Sequence, residues 1–144
     1  MMSKYVILKN DGNVEIKELE QKLELQTMYD WIGCELIEIG QSVINDKMDC
    51  NVKLVFDEEF LLKNEPQVNK IASLLFGYGI LHDEVLCGNV LIAKDVLNEE
   101  GEPELGGFNE GEIKKLESII DIARNLASII IFKVHEPKVE VYTW

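Results

Sequence analysis

Apolar and polar positions change period several times along the chain, and each change predicts an element. Tyr5 to Lys9 is a β-rich run closed by Asn10-Asp11-Gly12-Asn13, a strong turn signal, after which Val14 and Ile16 can continue a hairpin. From Glu18 the pattern turns helical, with Leu19, Leu23, Leu25, Met28 and Ile32 close to spacings of three and four. Asp30 and Trp31 close that helix, and Gly33 stands where a left-handed C-terminal glycine belongs. Cys34 to Ile39 (CELIEI) alternates like a strand, and Asn45-Asp46 marks a turn. Met48 to Phe56 alternates at Met48, Cys50, Val52 and Leu54, so the two runs predict a second hairpin.

Asp57-Glu58-Glu59 and Phe60-Leu61-Leu62 follow, and beyond Pro66 a short helix is predicted over Asn69 to Phe76, ended by Gly77 and Gly79. Val85 to Lys94 is the most β-like run; Gly88-Asn89 inside it suggests a bulge or a close backbone approach. The longest helix carries Ile113, Leu116, Ile120, Ala123, Ala127 and Ile130, with Ile119, Leu126 and Ile129 widening the stripe. Pro137 and then VEVYTW predict a last strand. The fold class is α+β: a small mixed or antiparallel sheet with an N-terminal helix, a short central helix and a long C-terminal helix. Residues 1–97 form the core of a single domain, 98–112 an acidic loop and helix cap, and 113–144 a helix and strand packed on that core or on a partner subunit. The long helix has more apolar surface than one small sheet face needs, which predicts a homodimer through Ile113–Ile130.

Composition adds charge to this picture. The 144 residues include 27 acidic and 14 basic ones, a net charge of −13. Long-range repulsion therefore disfavours direct binding to nucleic acid or an anionic membrane. The lone arginine is Arg124, so a phosphate site would depend on lysines or backbone amides. The first residues lack the pattern of a signal peptide, and the longest apolar stretch, Ala127 to Phe132, is far short of the roughly 20 residues that span a bilayer. Cys34, Cys50 and Cys87 are widely spaced, with no C-x-x-C pair, which points to a reducing cytoplasm and to no zinc site.

The segment NEEGEPELGGFNEGE (98–112) is the most unusual in composition, with six glutamates and no basic residue. Calcium-loop spacing fails: with Gly101 as the turn glycine, Val96 and Gly107 fall on ligand positions. Its second half is helix-start chemistry. Asn109 is an N-cap, Glu112 completes a capping box, and Phe108 with Ile113 has the spacing of a hydrophobic staple. Glu99, Glu100, Glu102 and Glu104 are left as an acidic, flexible lead-in, either a solvated loop or a partner-binding surface.

Other constellations are weaker. Asp57, Glu58 and Glu59 could do acid–base work if burial split their pKa values, but an exposed strand-end turn is the better explanation of them. Cys87 with His82 could be a thiol and its base, although cysteine in an apolar strand is usually a small buried hydrophobe. His135 is isolated. Neither G-x-G-x-x-G nor a Walker A loop is present. No cofactor, metal site or catalytic set is expected.

Several pieces in order carry a resemblance: LELQ, IGCELIEI, LVFDEEFLL, NKIASLLFG, GNVLIAK and the acidic GFNEGE trailer. Together, over roughly residues 4 to 115, the chain resembles a family of small uncharacterised domains carried by phages, plasmids and conjugative elements of Gram-positive bacteria. The matching positions are Gly33, Asp57, Glu58, Asn69, Gly88 and Asn89. The resemblance implies a role in the biology of mobile elements and no assigned activity. The functional expectation is a non-enzymatic interaction protein, an acidic inhibitor of a host defence or nucleic-acid-binding protein, in the cytoplasm of a bacterial host. Its partner-binding candidates are Glu99, Glu100, Glu102 and Glu104, then Asp57, Glu58 and Glu59. The alternative is a small-ligand binder, such as a sequesterer of a signalling nucleotide, using Asn89, Lys94 and Arg124.

Overall fold

The computed structural model describes residues 2–59 and 67–132. The final strand expected after Pro137, His135 and the Phe60–Leu62 run lie outside the described residues. The elements are β1 (Ser3–Leu8), β2 (Val14–Leu19), α1 (Leu25–Ile32), β3 (Ile37–Gln41), α2 (Asn45–Met48), β4 (Val52–Asp57), α3 (Lys70–Phe76), β5 (Val90–Leu97), β6 (Pro103–Gly106) and α4 (Glu110–Ala127). Six strands form one antiparallel sheet in the order β2-β1-β5-β4-β3, with β6 also paired to β5. The fold is thus α+β, with an antiparallel sheet and a long C-terminal helix, and its first helix follows two strands.

Alternation along the strands sorts the core into two layers. Tyr5, Ile7, Val55, Leu91 and Ala93 point to the face covered by α1, where Leu23, Met28 and Ile32 complete the cluster. Val6, Leu8, Leu54, Phe56, Val90 and Ile92 point to the other face, covered by α2, α3 and α4. Burial on both sides explains why the central strands read as continuous apolar runs rather than alternating ones. β1 and β6 lie end to end along the same flank of β5, Val6 opposite Ile92 and Gly106 opposite Lys94. At their junction Lys4 and Phe108 exchange backbone hydrogen bonds of 3.1 and 2.7 Å. A Cβ on Gly107 would stand 2.9 Å from the Lys4 carbonyl oxygen, so the close approach there requires glycine.

Several expectations are corrected. The first helix begins at Leu25, not Glu18. Leu19 is the last residue of β2, opposite Ser3, because Val14-Glu15-Ile16-Lys17 sets a period of two that carries through it. The strand expected at Cys34–Ile39 is Ile37–Gln41, and it does pair with β4. Met48 is not in that strand; it closes α2, and Asp49 beyond it takes a left-handed conformation at φ 59°. Gly88-Asn89 precede β5 instead of interrupting it. Gly88, at φ 79°, follows an isolated bridge between Val68 and Cys87. The lead-in Glu99–Glu104 is not a flexible tether: it forms the turn of the β5–β6 hairpin and the start of β6.

The start of α4 matches its sequence chemistry. The Asn109 side chain accepts from the Glu112 amide at 2.8 Å, and the Glu112 carboxylate accepts from the Asn109 amide at 3.0 Å. Phe108 and Ile113 are both buried in the larger cluster.

Candidate functional site

The acidic hairpin is built by one asparagine and one glycine. The Asn98 carboxamide oxygen accepts from the amides of Glu100 and Glu102, each at 2.9 Å, and the Asn98 amide donates to the Glu102 carbonyl. Gly101 closes the turn at φ 78°. Strand pairing of Leu97 with Pro103 and Asp95 with Leu105 carries the hairpin outward from the middle of the sheet. Pro103 fits there because a first residue on a short outer strand needs no ladder donor. Glu99, Glu100 and Glu102 are exposed at the tip. Glu104 is half-buried and accepts from Lys22 at 2.9 Å. Hydrogen bonding to Glu104, aided by the charges of Glu100 and Glu102, pushes the Lys22 ammonium above its usual range. Lys22 is therefore the local counter-charge of the hairpin.

The second acidic cluster lies elsewhere. β4 runs antiparallel to β5, with Val52 opposite Lys94 and Val55 opposite Leu91. Asp57 thus ends β4 beside the beginning of β5, whereas the hairpin tip extends past the end of β5. The two clusters occupy opposite ends of the sheet. Asp57 is buried and accepts from the Glu59 amide at 2.9 Å; Glu58 and Glu59 are exposed.

The small-ligand candidates also separate. Asn89 accepts from the Asn10 amide at 3.2 Å, and Arg124 donates to the Gly12 carbonyl at 3.2 Å, so both hold the β1–β2 turn. Arg124 lines a cleft of about 300 Å³ with Lys9, Asn10, Asp11 and Lys70. Its guanidinium also bonds to Asp121, and Lys9 pairs with Glu15. Lys94 sits outside that cleft, between β5 and α4, bound to both oxygens of Glu112 at 2.7 and 3.0 Å.

The thiol and imidazole of the remaining pair are taken up by structure. Cys87 is buried, and burial pushes its thiol up to about 11. His82 Nδ1 accepts from the Glu84 amide at 3.1 Å, Nε2 lies 3.2 Å from the Phe76 carbonyl, and the ring packs on Phe76. Among the described residues no group of three or more His, Cys, Asp or Glu side chains could hold a metal ion. Among them, too, no helix is long and apolar enough to cross a membrane.

A family model described as Domain of unknown function (DUF3846) matches residues 2–116. The chain belongs to this family. Comparison with curated proteins and with solved structures finds no match. The DUF3846 match takes in the whole sheet and the first two turns of α4. The rest of α4, from Glu117 on, continues past it.

Sequence reasoning missed two participants within the DUF3846 region. Lys22 had no local signal, because its partner Glu104 is distant in sequence and is brought beside it only by the end-to-end placement of β1 and β6. The Lys94–Glu112 pair was equally hidden, since Glu112 already had a role in the cap. Burial opposes charge on Glu112, yet the hydrogen bonds from Lys94 and from the Asn109 amide outweigh it, and its carboxyl lies below the usual range. A depressed folded value stabilises the fold above the unfolded pKa, and this contribution disappears as pH falls through the folded one. Glu112→Gln is expected to lower stability by about 1–2 kcal/mol at pH 7, through a weakened cap and a half-buried Lys94 without its counter-ion. Urea titrations should show the gap between the two proteins narrowing below about pH 4.

Proposed function

We propose that this is a non-enzymatic interaction protein of a phage or other mobile element that binds a basic surface on a host protein through its acidic hairpin. A host defence or nucleic-acid-binding protein has the groove such a surface fits. The observation that carries the reading is the fixed hairpin tip, with Glu99, Glu100 and Glu102 exposed on a turn held by Asn98. Carboxylates on an ordered turn lose less entropy on binding than those on a loose loop. They also attract a cationic partner from a distance, which favours fast association. Asp57 to Glu59, at the other end of the sheet, would belong to a separate contact.

The test is capture from a bacterial lysate by the intact protein and by a Glu99→Gln, Glu100→Gln, Glu102→Gln variant. A partner retained by the wild type at about 0.1 M salt should be released by about 0.5 M, where exposed charges are screened over a few ångströms. The variant should retain at least about tenfold less, the weight of one or two lost charge pairs. A captured partner indifferent both to salt and to the triple substitution would falsify the reading.

A further inference from the structure

Basic residues are scarce in this chain, 14 against 27 acidic ones, yet three of them converge. Lys9 just after β1, Lys70 at the start of α3 and Arg124 near the end of α4 line one cleft of about 300 Å³. Among the described residues its wall holds one carboxylate, Asp11. Both oxygens of Asp11 are taken up within the turn, by the Asn13 amide at 2.9 Å and the Asn13 side chain at 3.0 Å. The neighbouring carboxylates stand outside the wall. Glu15 pairs with Lys9 at 3.1 Å and is shared with Lys17, and Asp121 accepts from Arg124 at 2.8 Å. Lys70 is exposed and has no counter-ion among the described residues.

The cleft is also preorganised. Arg124 is anchored to Asp121 and to the Gly12 carbonyl, which leaves its remaining N–H donors for a ligand. A guanidinium already held in place loses little entropy on binding. Val68, Ile71 and Ala127 supply an apolar side to the same cleft. Apolar walls with a few fixed polar groups are the usual form of a small-molecule site, and this volume is at the small end of the usual range.

Size and charge decide the class of ligand. A nucleic acid would reach beyond the cleft and meet the carboxylates of the surrounding surface. A small anion meets only the charges within a screening length of roughly 8 Å. We propose that the cleft binds a mononucleotide, with its phosphate held by Lys9, Lys70 and Arg124 and its base against the apolar side. Of the ligand-site candidates read from the sequence, only Arg124 lines this cleft; Asn89 acts from behind it, through the Asn10 amide. The proposal goes beyond the acidic-hairpin reading and is independent of it.

The test is calorimetric titration of the full chain at about 0.1 M salt with the common nucleoside 5′-monophosphates, the matching nucleosides and inorganic phosphate. At least one nucleotide should bind with a Kd below about 1 mM, and its nucleoside and inorganic phosphate at least about tenfold more weakly. Lys70→Glu and Lys9→Gln should each weaken the nucleotide by about tenfold or more. Lys115→Glu makes the same charge change as Lys70→Glu near the start of α4, where Lys115 faces Asp49, and should leave the Kd within about twofold. Circular dichroism and Tm should show all three variants folded. Absence of nucleotide binding below about 1 mM overturns the proposal, as does inorganic phosphate or nucleoside binding as tightly as the nucleotide. Binding that survives both cleft substitutions, or that weakens equally in Lys115→Glu, overturns it too.

Discussion

Asn69→Ala is expected to destabilise the protein by about 2–4 kcal/mol, as the loss of one cap and of partners for buried carbonyl groups. Asn69 is buried, and its side chain joins three segments. Its carboxamide nitrogen donates to the Leu8 carbonyl at 2.8 Å and to the Gly88 carbonyl at 2.9 Å. Its oxygen caps α3 by accepting from the Ala72 amide at 3.1 Å. The end of β1, the approach to β5 and the start of α3 therefore meet on one amide group. Asn69→Asp separates the two roles. Aspartate caps helices about as well as asparagine, so a purely capping residue would tolerate it. Here it would bring a carboxylate against two carbonyl oxygens, with no donor for either, and should destabilise at least as much as alanine at neutral pH. Urea denaturation of the three proteins measures this; an Asn69→Asp variant as stable as the wild type would show that the bridge to Leu8 and Gly88 contributes nothing.

Phe108→Ala should cost about 3–5 kcal/mol, the usual range for removing a fully buried phenylalanine. Phe108 is 1% exposed and belongs to the core cluster that includes Ile113, Leu116 and Val6. Its backbone bridges Lys4, and the Lys94 ammonium stands 6.0 Å from its ring centroid. The side chain fixes the angle at which α4 enters the fold, so the alanine variant loses packing on the helix as well as on the sheet. Phe108→Leu, which keeps most of the apolar contact, should cost less than half as much. Equal losses for the two variants would show that the site depends on the aromatic ring itself and not on apolar bulk.

Elements whose determinants are adjacent in sequence were legible in advance. Asn109, Glu112, Phe108 and Ile113 are all within one turn of the start of α4, and they act there as their spacing predicts. Asn69 and Gly77 bracket α3 for the same reason. Leu19 and Leu23 fit both a strand and a helix period, and only the pairing of β2 with β1 decides between them. Met48 extends the alternation of β4 backwards, but Asp49 turns left-handed and breaks the strand before it starts. β6 was invisible because glycine, proline and glutamate have little strand preference of their own, and it forms only because the outer half of β5 offers a free edge. The candidate acidic residues could be named from composition, but their separation to opposite ends of the sheet follows from strand register. That is a non-local property.

The end-to-end arrangement of β1 and β6 makes the hairpin a replaceable display loop. Leu105 packs on the α1 side of the core and Gly106 is buried, but the tip from Leu97 to Pro103 has no buried residue, so it can change without touching either layer of the core. Asn98 and Gly101 keep the turn closed, and Gly107 keeps the junction tight. A different sequence grafted between them would redirect what this scaffold presents while leaving its foldability unchanged.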